Sequence, residues 1–314
     1  MPYRARWAAP AGGTTVQLIG DVQTDWERIW PLSGRTTYDA IGRDVRDHLI
    51  HDAPAARFQM GDISDGDAGG DPAVLRRRFA LFDAWCGSYR LAVYKVMGNH
   101  DVPYDAVTPR QWAAVWGYPA PSYTVDLGDV NAVVLGPSAP HTASPLGEPP
   151  CPGWPVRPLT AADIAWLDRT LAADTRPTLV LNHAPLASEP TVFGSGWQDN
   201  QSTMRSRHAP DLVELLAGHR HVVAWAHGHT HTPWDRGTTG LMTIGGRRIA
   251  RIDAAATYTQ PTGAPPEVGV GRAVTFYVTV LDDGRTVDVR WRDHAAQVWT
   301  GAPDVGRLHR LVTS

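Results

Sequence analysis

A chain of 314 residues, 43% of them apolar, has enough material to bury a sizeable core in one large or two small domains. Its formal net charge of −3 supplies no broad positive field, which disfavours a protein that grips nucleic acid by its phosphates. Two cysteines, Cys86 and Cys151, are too few for a disulfide framework, and no stretch approaches the ~18 apolar residues of a membrane helix. With no apolar run ahead of the first strand, the expectation is a soluble, cytoplasmic protein without a membrane partner.

Residues 16–20 (VQLIG) form a short apolar run that stops at a polar loop, as a buried parallel strand does. Residues 57–61 (RFQMG) and 91–98 (LAVYKVMG) repeat that form, and residues 38–51 and 72–89 between them carry helical spacing. The result is a β-α-β-α-β unit with loops at strand ends. In the second helix Arg76, Arg77 and Arg78 read as a solvated face and Cys86 as a small core residue, while Trp85, Trp112, Trp116 and Trp166 read as helix-borne packing.

From Tyr123 the pattern changes. SYTVDL and NAVVLG, separated by Gly128 and Asp129, read as a hairpin, and LTAADIAWLDRTLAA as a helix that starts at the N-cap Thr160. TLVLNH, VVAWAHG, LMTIG and RRIARID are further strands. VTFYVTVLDDGRTVDVRWR is a second hairpin around Asp283 and Gly284. We expect a single domain over residues 1–314, with a core at about 16–255 and this hairpin, at about 273–292, completing a sheet. Residues 137–158 and 186–207 form two long loops, of the kind that is usually functional or disordered.

Five polar blocks each fall at the end of a strand: GDVQ at 20–23, GDISD at 61–65, GNHD at 98–101, NHAP at 182–185 and GHTH at 228–231. Any one of them alone is weak. Ligands at successive strand ends, however, converge on one edge of a sheet, where α/β proteins place their sites. The first half supplies Asp21, Asp62 and Asn99, and the second supplies His183, His229 and His231. Hard oxygen mixed with borderline nitrogen suits a pair of Mn, Fe or Zn ions better than a lone structural zinc, which favours cysteines. His227, just before the last block, has the strand parity of a packing residue.

In this order the blocks resemble the signature of the calcineurin-like metallophosphoesterase superfamily: DxH, GDxxD, GNH(D/E), a lone His and GHxH. Four of the five match, and the resemblance runs from about residue 16 to about residue 234. It implies an α/β/β/α sandwich with two central mixed sheets flanked by helices. It also implies hydrolysis of a phosphate ester by a hydroxide held between two cations about 4 Å apart. Carried over by position, one metal falls to Asp21, Gln23, Asp62 and His231, and the other to Asp62, Asn99, His183 and His229, with Asp62 shared. His100 is then placed to protonate the leaving oxygen, Asp65 to orient His100, and Asp101 to support the ligands.

The first block departs from the family, because Gln23 stands where the signature has histidine. A carboxamide oxygen is a neutral, harder ligand than imidazole, so the expected cofactors are two divalent ions of Mn²⁺, with Fe, Zn, Mg or Ni as alternatives. The DxQ form resembles a branch that includes manganese-dependent nucleoside-diphosphate-type hydrolases and small phosphatases. Gln23 reaches metal either directly or through water.

The two long loops can enclose the site, which favours a small, soluble phosphomonoester such as a nucleotide or sugar phosphate. Alternatives are a nucleotide phosphodiesterase or diphosphate hydrolase, a protein phosphatase, and a non-catalytic scaffold. Candidate substrate contacts are Arg35, Trp197, Asn200 and Arg207.

Overall fold

The computed structural model describes residues 12–22, 34–48, 54–64, 71–102, 107–138, 159–186, 209–229, 239–254, 258–259, 272–300 and 309–314. In chain order the first half contains β1 (Gly13–Ile19), α1 (Gly34–His48), β2 (Ala56–Gln59), α2 (Pro72–Ser88), β3 (Tyr94–Lys95), α3 (Pro109–Val115), β4 (Tyr123–Asp126) and β5 (Asn131–Val134). Next come α4 (Ala161–Ala173), β6 (Thr178–Leu181), α5 (Ala209–Gly218), β7 (Val222–His227), β8 (Gly240–Ile244), β9 (Arg247–Asp253) and β10 (Tyr258–Thr259). The chain closes with β11 (Arg272–Leu281), β12 (Thr286–Asp293), β13 (Val298–Thr300) and β14 (His309–Val312).

These strands form two mixed sheets. One runs β13-β12-β11-β1-β2-β3, with β10 and β14 attached to β11 and β12; the other runs β4-β5-β6-β7-β9-β8. Strands β1, β2 and β3 are mutually parallel, as are β5, β6, β7 and β9, so each group delivers its C-terminal loops to one edge. Every polar block of the sequence leaves a strand of one of these groups.

Alternation of side chains sorts the core into three apolar layers. Val16, Leu18, Phe58 and Phe276 of the first sheet meet Ala132, Leu179 and Ala224 of the second. On the outer face of the first sheet, Ile19 and Tyr277 pack with Ile41, Phe79 and Trp112 from the three N-terminal helices. Val133, Val180 and Trp225 of the second sheet pack with Leu167 and Leu171 of α4 and Leu212 and Leu216 of α5. The architecture is therefore helix, sheet, sheet, helix, as expected. No helix among the described residues is long and apolar enough to cross a membrane.

Local chemistry explains the helix starts. Thr160 and Asp163 form a capping box at α4, and Thr108 and Gln111 form another at α3, where Pro109 supplies a preset φ. Asp71 caps α2 by accepting from the backbone of Ala73 at 2.8 Å.

Several sequence expectations need correction. The third strand is two residues long rather than eight, because Leu91 N donates back to Cys86 O at 2.8 Å and the chain is still leaving α2 there. Strands β10, β13 and β14 lie outside the strands expected from the sequence. Arg76 and Arg77 are exposed, but Arg78 is buried at 3% exposure on the apolar face of α2, beside Leu75, Phe79 and Phe82. Cys86 is a core residue as expected, and burial pushes its thiol up to about 12. Apart from Pro137, Ser138 and Leu186, the two long loops, and with them Cys151, lie outside the described residues.

Candidate metal centre

The turn after β2 is drawn tight by its own sequence. Gln59 Oε1 accepts from Gly61 N at 3.1 Å, and Gln59 Nε2 donates to the Gly61 carbonyl. Gly61 has φ 102°, and a Cβ there would stand 2.3 Å from His183 Nδ1, so only glycine lets the two strand ends approach. Asp62 follows at φ 57°, a left-handed conformation that costs about 1–3 kcal/mol and persists only when its surroundings over-determine it. Three bonds hold it: Asp62 N donates to Asp101 Oδ2 at 3.1 Å, His100 N to Asp62 Oδ1 at 2.9 Å, and Val22 N to Asp62 O at 3.2 Å.

Four ligand-type atoms then converge. Asn99 Oδ1 lies 2.9 Å from both His183 Nε2 and His229 Nδ1, and those two nitrogens are 3.1 Å apart. Asp62 Oδ2 stands 3.3 Å from His183 Nε2; it is buried and, among the described residues, accepts no hydrogen bond. The Met60 carbonyl accepts from His183 Nδ1 at 2.8 Å, which turns Nε2 toward the cluster. Lone pairs of an amide, a carboxylate and imidazoles aimed at one place repel one another unless a cation lies among them. The donor set therefore fits a divalent ion, and the ligand atoms of Asp62, His183 and His229 all lie within 4.8 Å of one another.

The electrostatics agree. Burial disfavours charge on His183, yet the Asp62 and Asp21 carboxylates outweigh it and push the imidazole up to about 10. Burial also works against the charge on Asp62, but His183, His100 and His229 hold its carboxyl well below the usual range. The cluster is a place where positive charge is stabilised.

Asp21, fully buried at the end of β1, accepts from His229 N at 2.9 and 3.1 Å and lies 3.9 Å from His183 Nδ1. Asp101 ties two loops together: Oδ2 accepts from Gly98 N at 2.9 Å and from Asp62 N, while Oδ1 accepts from Ser64 N at 3.0 Å. Burial and the neighbouring Asp62 charge hold its carboxyl above the usual range. His100 is buried, at 8% exposure, with Nε2 3.8 Å from Asp62 Oδ2.

The structure thus brings together Asp21, Asp62, Asn99, His100, Asp101, His183 and His229 of the expected set. Gln23, Asp65, His231, Trp197, Asn200 and Arg207 lie outside the described residues, as does the side chain of Arg35. His227 is fully buried, with Nδ1 2.9 Å from Gly228 O and 4.0 Å from Asp253 Oδ1, in keeping with a packing position. Two supporting groups were missed: the Met60 carbonyl, for which a sequence carries no signal, and Ser64 with its partner Arg78. The apolar spacing around Arg78 pointed to burial, but its two arginine neighbours masked that signal.

The family model described as calcineurin-like phosphoesterase matches residues 14–233. No curated protein matches the chain in sequence. Among solved structures, a dimetal phosphatase from Danio rerio is similar, with a TM-score of 0.59 at 15% identity, covering 90% of this chain and 97% of that one. A purple acid phosphatase from yellow lupin (Lupinus luteus) seeds is similar over 93% of this chain and 53% of its own, with a TM-score of 0.52 at 12% identity. At these identities the likeness establishes the fold, and the family match adds the chemistry: the chain belongs to the calcineurin-like phosphoesterases and is a phosphoester hydrolase.

Proposed function

We propose that the protein hydrolyses small, soluble phosphomonoesters, nucleotides or sugar phosphates, with two divalent cations, Mn²⁺ in the first place. The observation that carries the metal-dependent part is the convergence of Asn99 Oδ1, His183 Nε2, His229 Nδ1 and the buried Asp62 Oδ2. Asp62, Asn99, His183 and His229 would hold one ion, and Asp21, Gln23, Asp62 and His231 the other. Such a pair, when bound, supplies Lewis acidity toward phosphoryl oxygens and acidifies water.

The protein's own groups do the rest. Asp101 fixes the backbone of the Asp62 and Asn99 loops, so the ligands are set before substrate arrives. His100 donates a proton to the leaving oxygen, and Asp65 orients its ring. Arg35, Trp197, Asn200 and Arg207 contact the remainder of the substrate. A net charge of −3 fits a small ester better than a polyanionic polymer.

The DxQ block favours a second reading, hydrolysis of a nucleotide diester or diphosphate. A hydrolysis screen with added Mn²⁺ separates the two, reading inorganic phosphate released from nucleoside monophosphates, sugar phosphates and nucleoside diphosphates, and the aryl alcohol released from an aryl phosphodiester. Fastest turnover on a monoester supports the proposal. Turnover confined to diesters or diphosphates replaces it with the second reading, and no turnover on any substrate refutes both.

A further inference from the structure

We propose that Arg78, on α2, is a positioning residue for the metal centre, acting through Ser64 on the loop that carries Asp62. This rests on the metal-dependent reading above. Arg78 occupies a core position, at 3% exposure among Leu75, Phe79 and Phe82. Burying a guanidinium costs several kcal/mol unless it is well bonded, so an arginine at a core position of an amphipathic helix needs an explanation outside packing. Its Nη1 donates to Ser64 Oγ at 2.8 Å.

Ser64 is itself fully buried, two residues beyond Asp62, and its backbone N donates to Asp101 Oδ1 at 3.0 Å. The other oxygen of Asp101 receives Asp62 N and Gly98 N, and Asp62 Oδ1 in turn receives His100 N. A continuous path thus runs from α2 through Ser64 and Asp101 to a ligand carboxylate and to the backbone of His100. The path matters because Asp62 sits at φ 57°, a conformation that relaxes when its flanking anchors are lost. Arg78 and Ser64 anchor the C-terminal side of that strained residue, while Gln59 anchors the N-terminal side through Gly61. Groups that orient metal ligands from behind typically alter metal affinity or activity by about 10–100-fold when removed.

The experiment measures the Mn²⁺ dissociation constant by calorimetry, together with kcat and KM on the best substrate, in the full chain and in Arg78→Leu, Arg78→Lys and Ser64→Ala. Leu keeps the apolar volume of the core position. The expected result is Mn²⁺ binding weakened by about tenfold or more and kcat reduced in Arg78→Leu and Ser64→Ala, with partial recovery in Arg78→Lys. In the double variant the two losses do not add, since both break one link. Wild-type affinity and kcat in a folded Arg78→Leu overturn the inference. If that variant does not fold, wild-type values in Ser64→Ala overturn it. A wild-type chain that neither binds Mn²⁺ nor releases phosphate overturns the functional reading, and the inference falls with it.

Discussion

The carbonyl oxygen of Met60 accepts the Nδ1 proton of His183 at 2.8 Å, so a backbone group at the exit of β2 decides which ring nitrogen faces Asn99 and His229. The two residues come from different sheets. Their bond couples the closure of the sandwich to the geometry of the site, and it leaves Nε2 as the ring nitrogen available to a metal ion, beside Asn99 Oδ1, His229 Nδ1 and Asp62 Oδ2.

The first prediction is that purified protein saturated and desalted retains two divalent ions per chain, as a dinuclear centre requires, and that Asp62→Asn does not. Asparagine keeps the size of the side chain but removes the charge and one of the oxygens through which a residue can serve both ligand sets. Elemental analysis measures it. One ion or fewer in active wild-type protein would remove the dinuclear proposal.

His100→Ala should behave differently. The backbone N–H that bonds Asp62 Oδ1 survives the substitution, so the ligand loop keeps its anchor while only the ring is lost. Turnover should fall by about 10²–10⁴, the usual contribution of a general acid, with metal content as in wild type. A loss of metal equal to that of Asp62→Asn would show that His100 supports the ligands and is not the acid.

How much of this was legible beforehand follows from what a sequence can carry. Asp21, Asp62, Asn99, His183 and His229 were legible because each follows an apolar strand in a short polar block, and strand ends on one edge must meet. The strands were legible from apolar runs such as residues 16–20 and from alternation such as that of residues 274–280, whereas the layered sandwich was implied only by the resemblance of the polar blocks to a known family. The short β3 was not legible, since a run of apolar residues continues from a helix exit into an edge strand without any change in composition. Nor was the burial of Arg78: two exposed arginines precede it, and only the three-dimensional position of Ser64 reveals its partner.

A tyrosine pair protects the edge where β3 and β4 meet. Lys95 N donates to Tyr118 Oη at 3.1 Å, and Tyr123 Oη donates to Lys95 O at 2.8 Å, satisfying groups that an edge strand otherwise offers to other chains. Tyr123→Phe should cost about 1 kcal/mol of unfolding free energy in urea and leave phosphate release unchanged. An unchanged urea midpoint would mean that water replaces the hydroxyl without loss.

Gln23→His restores the histidine of the common DxH block. Imidazole binds zinc and iron better than a carboxamide does, so the variant should gain activity with Zn²⁺ or Fe²⁺ relative to Mn²⁺. Activity measured on metal-stripped protein across a series of added ions checks it. An unaltered preference would place Gln23 behind a water and not on the metal.

The last prediction concerns the buried ion cluster that fastens the C-terminal hairpin to α1. Arg292 Nε and Nη2 grip the two oxygens of Asp44 at 2.8 Å each, His294 Nδ1 lies 2.8 Å from Asp44 Oδ2, and His294 Nε2 lies 2.7 Å from Thr275 Oγ1. Burial alone would raise the Asp44 pKa, but its bonds to Arg292 and His294 prevail and hold it below the ordinary carboxylate range. Burial holds His294 below the ordinary imidazole range, against the pull of Asp44. Both shifts make acid destabilising. Below a pH of about 6.5 the unfolded chain takes up the His294 proton before the folded chain does, and stability falls until the folded pKa is reached. Below about pH 4 Asp44 adds a second loss of the same sign as the pH passes through its own lowered value. Unfolding free energy measured in urea between pH 7 and pH 5 should therefore decline less steeply in His294→Gln than in wild type. Asp44→Asn, which strands the Arg292 charge in the core, should cost about 3–5 kcal/mol at pH 7. Equal slopes in His294→Gln and wild type would show that this histidine does not change protonation on unfolding, and that the acid sensitivity of the fold arises elsewhere.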